Sequence, residues 1–306
     1  DLGATGSRFK DAHFSGTVNT EAVSTNSLDL QAIAQSKSVT AVDVFVYDTR
    51  KDSDGGAWRH RTQGTSWYNE TLNTSTRGAT KKFPSVAVIV AEAQKITIYD
   101  GDDPDMPMWM VFTGGALIYS TTRTSVTILN GIMFTGGDNS VSEINFLTEF
   151  MGLHQGSSIS QIKPSWAVGI VNRNDTGGSW ATQGAGTGSV IQTGTLVNQA
   201  TNDVAMTVLP NAPIDADTGL LVPTIAVGTA AGTSIIRDNG TVANYKYTWS
   251  TVRSTGVGFG NQAFSQMMHT AYSSAGTGLV VYDYVGSGDS ASSNLLGTLR
   301  EYHNGT

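Results

Sequence analysis

Asp100-Gly101-Asp102-Asp103-Pro104-Asp105 sets four carboxylates within six residues, a dense run of oxygen donors. Hard oxygens at short spacing suit Ca2+, which gathers about six to eight of them. The register is not that of an EF-hand, since the central glycine and the later glutamate are misplaced. A solvated loop between strands, turned by Gly101 and Pro104, accounts for the same residues. Asp52-Ser53-Asp54-Gly55 is a shorter version of the pattern. Glu92, Glu143 and Glu149 are the carboxylates available for a glycosidase pair, which needs two acids facing each other across a bond. Nothing in the sequence pairs them, and no catalytic residue is assigned. The Gly-x-Ser-x-Gly elbow, the His-Glu-x-x-His helix and the Walker A loop are all missing. Gly184–Gly188 and Gly256–Gly260 are glycine-rich but lack a β-α-β setting. The five histidines share no ligand spacing. The expectation is a protein that is not an enzyme, with Ca2+ the single cofactor its residues suggest.

The segment from Arg50 to Lys82 has the most unusual charge. It carries seven basic residues against three acidic ones, inside a chain of net charge -7. Trp58, Arg59, His60, Arg61, Trp67, Tyr68 and Arg77 lie within it. Aromatic faces stack on sugars and basic groups bind acidic polysaccharide, so the segment is a candidate contact with a host-surface glycan. The same residue types anchor subunit interfaces. A long hairpin whose aromatics cap the first repeat unit is the third reading. Met106-Pro107-Met108-Trp109-Met110 reads as core filling.

These residues must be carried by strands. In 306 residues, 14% are charged, 35 are Gly and none is Cys. That length can bury a core, and the absence of cysteine excludes disulfide scaffolds, Cys-ligated metal and thiol catalysis. The acidic balance argues against nucleic acid as a partner. No apolar run approaches the roughly 20 residues of a membrane helix, so membrane insertion is not expected. There is no signal-peptide pattern, and the start and end suggest a piece of a longer or processed polypeptide. Leu28–Gln35 and the stretch from Gly260 onward are short helix candidates. Elsewhere β-branched runs are cut by Asp54-Gly55, Asn130-Gly131, Asp138-Asn139 and Asn239-Gly240, the chemistry of tight hairpins. Val86–Val90 reads as a strand buried on both faces. The class is all-β.

The strands repeat. Pro84-Ser85-Val86-Ala87-Val88 matches Pro223-Thr224-Ile225-Ala226-Val227, with Pro164-Ser165-Trp166-Ala167-Val168-Gly169 as a third opening. A second-strand signature recurs at Val46-Tyr47-Asp48, Ile98-Tyr99-Asp100, Glu143-Ile144-Asn145, Ile236-Arg237-Asp238 and Val281-Tyr282-Asp283. Its steps are about 52, 45, 93 and 45 residues, the 93 reading as two periods with a degenerate copy near Gly188–Ile191. A period near 46 with four short strands per copy is the pattern of β-propeller blades, which bury their faces by stacking radially. A β-sandwich with rhyming hairpins is the alternative.

Leu2-Gly3-Ala4-Thr5-Gly6-Ser7-Arg8-Phe9-Lys10-Asp11-Ala12-His13-Phe14-Ser15-Gly16-Thr17-Val18-Asn19 resembles a repeat of bacteriophage tail-fibre and tailspike proteins: a Leu-Gly turn, then Arg-Phe-Lys-Asp, then a short strand ending Ser-Gly. His13-Phe14 departs from the aromatic-aliphatic pair more usual there. The unit from Asp43–Asp48 to Asp102–Met110 also resembles a segment of marine phage structural proteins. The resemblance implies a virion fibre, usually a homotrimer, partnered by copies of itself, other virion proteins and host glycan. It divides the chain into a shaft-like segment, 1–37, and a β-propeller-like domain, 38–306. The expected function is structural and adhesive, with a polysaccharide depolymerase or a secreted lectin as alternatives.

Overall fold

A computed structural model describes residues 40–113, 122–154, 169–174, 195–246, 253–259, 266–273, 276–283 and 302–304. The shaft-like segment, the Leu28–Gln35 helix candidate, the Pro164 opening and the Gly188–Ile191 copy lie outside them. Among the described residues sixteen strands form four antiparallel sheets, each a simple meander of four. The first holds β1 (Ala41–Asp48), β2 (Val86–Glu92), β3 (Lys95–Asp100) and β4 (Met108–Phe112). The second holds β5 (Arg123–Leu129), β6 (Ile132–Gly137), β7 (Val141–Asn145) and β8 (Met151–His154). The third holds β9 (Thr201–Thr207), β10 (Thr224–Thr229), β11 (Gly232–Ile236) and β12 (Val242–Lys246). The fourth holds β13 (Arg253–Phe259), β14 (Gln266–Ser273), β15 (Gly276–Asp283) and β16 (Tyr302–Asn304). Of the helix candidate from Gly260 onward, residues 260–265 lie outside the described residues, and those from Gln266 form β14. Its Met267-Met268-His269-Thr270 pairs residue for residue with β15.

The first strands stand beside one another, β1 against β5, β5 against β9 and β9 against β13, so each sheet is a blade leaning on the next. The fold is all-β and β-propeller-like. Apolar layers fill the gaps between blades. Tyr47, Ala87 and Ile89 meet Val126, Ile128 and Met133 between the first two. Phe134 and Val141 meet Val204, Ile225 and Val227 between the second and third. Ala226 and Ile235 meet Val257 and Phe259 between the third and fourth. β2 is covered on both faces, as its unbroken apolar run requires.

Two expectations about the repeat are corrected. Four of the five recurring tags end a third strand, at β3, β7, β11 and β15, whereas Val46-Tyr47-Asp48 ends the first strand of its blade. The 52-residue step therefore lies inside one blade, stretched by the insertion between β1 and β2. The 93-residue step is not two blades either. β5 and β9 are direct neighbours, with the Ser125 hydroxyl donating to Asp203 Oδ1 at 2.8 Å, so no blade stands between them.

The blades share one joint. Every first strand carries a one-residue bulge near its start, at Val42, Thr124, Asn202 and Thr255, which throws the next side chain sideways. That side chain is Asp43, Ser125, Asp203 and Gly256 in turn. Val126 N–H donates to Asp43 Oδ2 at 2.7 Å, Val204 N–H to Ser125 Oγ at 3.2 Å, and Val257 N–H to Asp203 Oδ2 at 2.8 Å. Each acceptor thus clips the first strand of the following blade. Opposite Ser125 and Asp203 stand Gly136 and Gly228. A Cβ at Gly136 would come within 2.7 Å of Thr201 Cγ2, and one at Gly228 within 2.9 Å of Ser254 Oγ. The close approach of the next strand requires glycine there.

Candidate functional site

The insertion between β1 and β2 carries most of the residues that the sequence marks for binding, and its local chemistry turns its aromatics inward. Asp48 ends β1 and accepts from Arg50 N–H at 3.1 Å, opening a 3-10 turn over Thr49–Lys51. Its carboxylate also takes both prongs of the Arg50 guanidinium, at 2.7 and 2.9 Å, which holds its pKa below the usual value. Gly56, at φ 80°, admits a second 3-10 turn, Ala57–His60. That turn drops Trp58 into the core.

Asp52 is the buried pin of the insertion. It accepts from the Tyr47 hydroxyl at 2.5 Å, Trp58 Nε1 at 2.7 Å and Asn130 N–H at 2.9 Å. Gly131 N–H donates to the Tyr47 oxygen at 3.0 Å. Burial raises the Asp52 pKa despite these donors, and burial with the adjacent Asp52 charge raises that of Tyr47 well above its ordinary value. Asn130-Gly131, both at positive φ, forms the hairpin turn between β5 and β6 that delivers these donors. Blade one's insertion is thereby tied to blade two. Ties to blade three follow: Asn130 Nδ2 donates to Leu221 O at 2.7 Å, and Arg61 donates to Thr218 O.

Trp58, Trp67 and Arg77 are fully buried, so they present no face to a glycan or a second subunit. This corrects the binding expectation for those three residues and supports the cap reading. The physical reason is an aromatic cluster assembled from distant segments. Phe83 meets Trp58 at 5.2 Å, Trp109 at 4.8 Å and Phe146 at 5.0 Å, while Trp67 meets Trp109 at 5.5 Å. Trp67 Nε1 donates to Phe146 O at 2.9 Å. Arg77 lies over Trp109, 4.3 Å from the ring, and shares Glu70 with Arg173 through contacts of 2.9 and 2.8 Å. Desolvation lowers the Arg77 pKa to about 10. A buried carboxylate between two guanidiniums is structural cement here, since each arginine also caps backbone carbonyls: Trp109 and Lys81 for Arg77, Val111 and Thr76 for Arg173.

What stays outside is mostly basic. His60 and Arg61 are exposed, with Arg61 paired to Asp54 at 3.0 Å. Arg59 and Tyr68 are half-buried; Arg59 Nε donates to Phe83 O at 2.8 Å. Lys82 Nζ stands 3.1 Å from His60 Nε2, and its pKa is lowered by desolvation and by the nearby Arg59 charge. Lys81 sits 5.5 Å above the Tyr68 ring. Arg59, Lys81 and Lys82, with His60 beside Lys82, thus form a small basic rim.

The acidic loop turns three of its carboxylates onto nearby backbone N–H groups. Asp102 accepts from Ser85 and Val86 N–H at 2.5 and 3.1 Å, Asp100 from Asp102 N–H at 3.0 Å, and Asp103 from Asp105 N–H at 2.9 Å. Among the described residues no group of three or more His, Asp or Glu is arranged to hold a metal ion. Asp100, Asp102 and Asp103 are therefore read as loop-closing groups, Asp105 contributes its backbone N–H, and the Ca2+ expectation gains no support from this geometry. Glu92, Glu143 and Glu149 bind different partners: Lys95 at 2.9 Å, His154 at 2.9 Å, and Ser66 N–H at 2.9 Å. Sequence reading missed Tyr47, Asn130, Arg173 and the Asp43–Ser125–Asp203 series, whose partners lie far away in the chain.

The fold class stated above rests on these sheets and joints. No family model matches the chain, and no curated protein is similar to it in sequence. Among solved structures it is similar to Hsv2 of Kluyvelomyces marxianus (TM-score 0.35, 7% identity, 65% of this chain and 47% of that one). It is also similar to BBS1N in complex with ARL6DN (TM-score 0.33, 10% identity, 64% and 46%). A third is the extracellular domain of the one-component system BT4673 of B. thetaiotaomicron (TM-score 0.22, 10% identity, 64% and 30%). In each case the match spans less than half of the solved chain.

Proposed function

We propose that this chain is a non-enzymatic structural module of a phage particle, part of a tail fibre or related appendage, and that it acts by adhesion. The observation that carries the phage reading is the ordered run at residues 2–19. The basic rim of Arg59, Lys81 and Lys82, with His60 beside it, supports the adhesive part, because it is held on a loop pinned to three blades. A rigid platform spends little entropy when it binds, and weak contacts multiply over several copies. The ligand class that fits is an anionic glycan of the host surface, with copies of this chain and other virion proteins as assembly partners and the virion exterior as its location.

Surface-immobilised lipopolysaccharide, with neutral dextran as the control, provides the test. The chain should bind the lipopolysaccharide in a salt-sensitive way, and the double variant Lys81→Glu/Lys82→Glu should bind at least about tenfold more weakly, a loss of roughly 1.4 kcal/mol. Equal binding to dextran, or a double variant that binds as well as the parent, would sink the adhesive reading. A fall in polymer viscosity on incubation would replace it with a depolymerase.

A further inference from the structure

Three lysines of the first blade and its insertion meet three kinds of neighbour. Lys95 is ion-paired with Glu92 at 2.9 Å, and Lys81 lies 5.5 Å above the Tyr68 ring. Both contacts favour the ammonium form. Lys82 instead faces basic groups. Its Nζ stands 3.1 Å from His60 Nε2, a ring nitrogen able to take its proton. The Arg59 guanidinium, fixed by donating Nε–H to Phe83 O at 2.8 Å, places a further positive charge nearby. The acid that acts on Lys82 is Asp102, whose two oxygens are committed to Ser85 and Val86 N–H at 2.5 and 3.1 Å. Desolvation and the Arg59 charge both pull the Lys82 pKa below its ordinary value. The stem is held as well: Lys82 O accepts from Trp109 Nε1 at 3.0 Å, and the next residue, Phe83, is fully buried. His60 is exposed and Lys82 half-buried, so the pair lies at the surface.

We propose that Lys82 is a nucleophilic amine that captures carbonyl compounds with His60 as its proton relay, and that it takes small anionic aldehydes and α-keto acids. The unprotonated amine is the form that attacks a carbonyl. The ammonium proton passes to His60 Nε2, and the freed lone pair bonds to the carbonyl carbon as the C=O π pair moves onto oxygen. His60 then relays protons from the nitrogen to that oxygen until it leaves as water. One ammonium and one carbonyl become one protonated imine and one water, with no oxidant or reductant. The anionic class follows from the surroundings: a carboxylate next to the carbonyl would sit among the charges of Arg59 and Lys81. The inference needs only this corner of the insertion, and it stands whether or not the rim binds a glycan.

Reductive trapping tests it. The full chain is incubated at neutral pH with glyoxylate and cyanoborohydride, which reduces the imine to a stable amine, and adducts are located by peptide mass spectrometry. Lys82 should be labelled at least about tenfold faster than Lys51, Lys81 or Lys95. His60→Ala, at an exposed site, should remove that lead with an unchanged circular dichroism spectrum, while the rates at Lys51 and Lys95 stay as they were. Unfolding in urea should level all four lysines. Propanal, a neutral aldehyde, should favour Lys82 less than glyoxylate does. Equal labelling of the four lysines in the folded chain, or a folded His60→Ala variant that keeps the Lys82 lead, would overturn the inference. An equal preference with propanal would overturn the anionic class.

Discussion

Asp203 ties three blades together, and its removal has a calculable cost. Its Oδ1 takes the Ser125 hydroxyl of blade two at 2.8 Å and its own Val204 N–H at 2.9 Å, while Oδ2 takes Val257 N–H of blade four at 2.8 Å. In Asp203→Ala, Val204 N–H keeps Ser125 Oγ as an acceptor at 3.2 Å, so the orphans are Val257 N–H and the Ser125 hydroxyl. A hydrogen bond to a charged group is worth about 1.5–3 kcal/mol. Burial is the main reason that the Asp203 pKa is raised, so the carboxylate gives back part of this as desolvation already spent. The net loss should be about 2–4 kcal/mol. Asp203→Asn keeps one good acceptor and should lose about half as much. For a domain of this size each kcal/mol moves the melting temperature by about 2–4 °C. Urea unfolding should be followed by circular dichroism, which reports all sheets. The transition of Asp203→Ala should move to lower urea, with Asp203→Asn between it and the parent. A loss below about 0.5 kcal/mol, or the same shift in the Ala and Asn variants, would refute the clip as an energetic element.

Trp58→Ala should cost about 3–5 kcal/mol, since it empties a fully buried site and strands the Asp52 oxygen; chemical denaturation checks it. Glu70→Ala should cost a similar amount by leaving Arg77 and Arg173 buried side by side, with Glu70→Gln intermediate, again by denaturation. For Asp52 the folded pKa is raised above 3.8, so its protonation favours the fold; that contribution is full below about pH 3.8 and is lost as pH rises through the folded pKa. The stability of the parent minus that of Asp52→Asn should accordingly be greatest near pH 4 and shrink toward pH 7, measured by urea titrations across that range. Millimolar CaCl2 should leave the melting temperature of the parent and of Asp102→Asn unchanged, as differential scanning fluorimetry would show, because the loop carboxylates serve backbone N–H groups.

The strands were largely legible because turn chemistry is local. Asn130-Gly131 marks a hairpin by its residue types alone, and the unbroken apolar run of Val86–Val90 marks a strand with two covered faces. The blade period was harder to read. Val46-Tyr47-Asp48 and Ile98-Tyr99-Asp100 look alike yet end a first and a third strand, and only pairing separates them. The aromatic-basic segment leaves its three readings open for a similar reason. A tryptophan in a polar, irregular stretch has the same neighbours in sequence whether it stacks on a sugar or enters a core. Phe83, Trp109 and Phe146 decide the matter for Trp58 and Trp67, and all three lie outside the segment. Asp43, Ser125 and Asp203 differ in type and fall at uneven spacing. Their equivalence emerges only when the bulges are aligned.

The ties of the β1–β2 insertion also set an order of events during synthesis. Trp58 and Asp52 wait for Asn130, Trp67 waits for Phe146, and Arg61 waits for Thr218. The first blade's own meander is complete once Phe112 has emerged, yet its insertion stays unanchored until roughly twice that length of chain exists. On a ribosome adding about 5–20 residues per second, the two tryptophan-bearing stretches of the insertion are thus exposed for several seconds, an interval in which a chaperone, or a neighbouring nascent chain, competes for them.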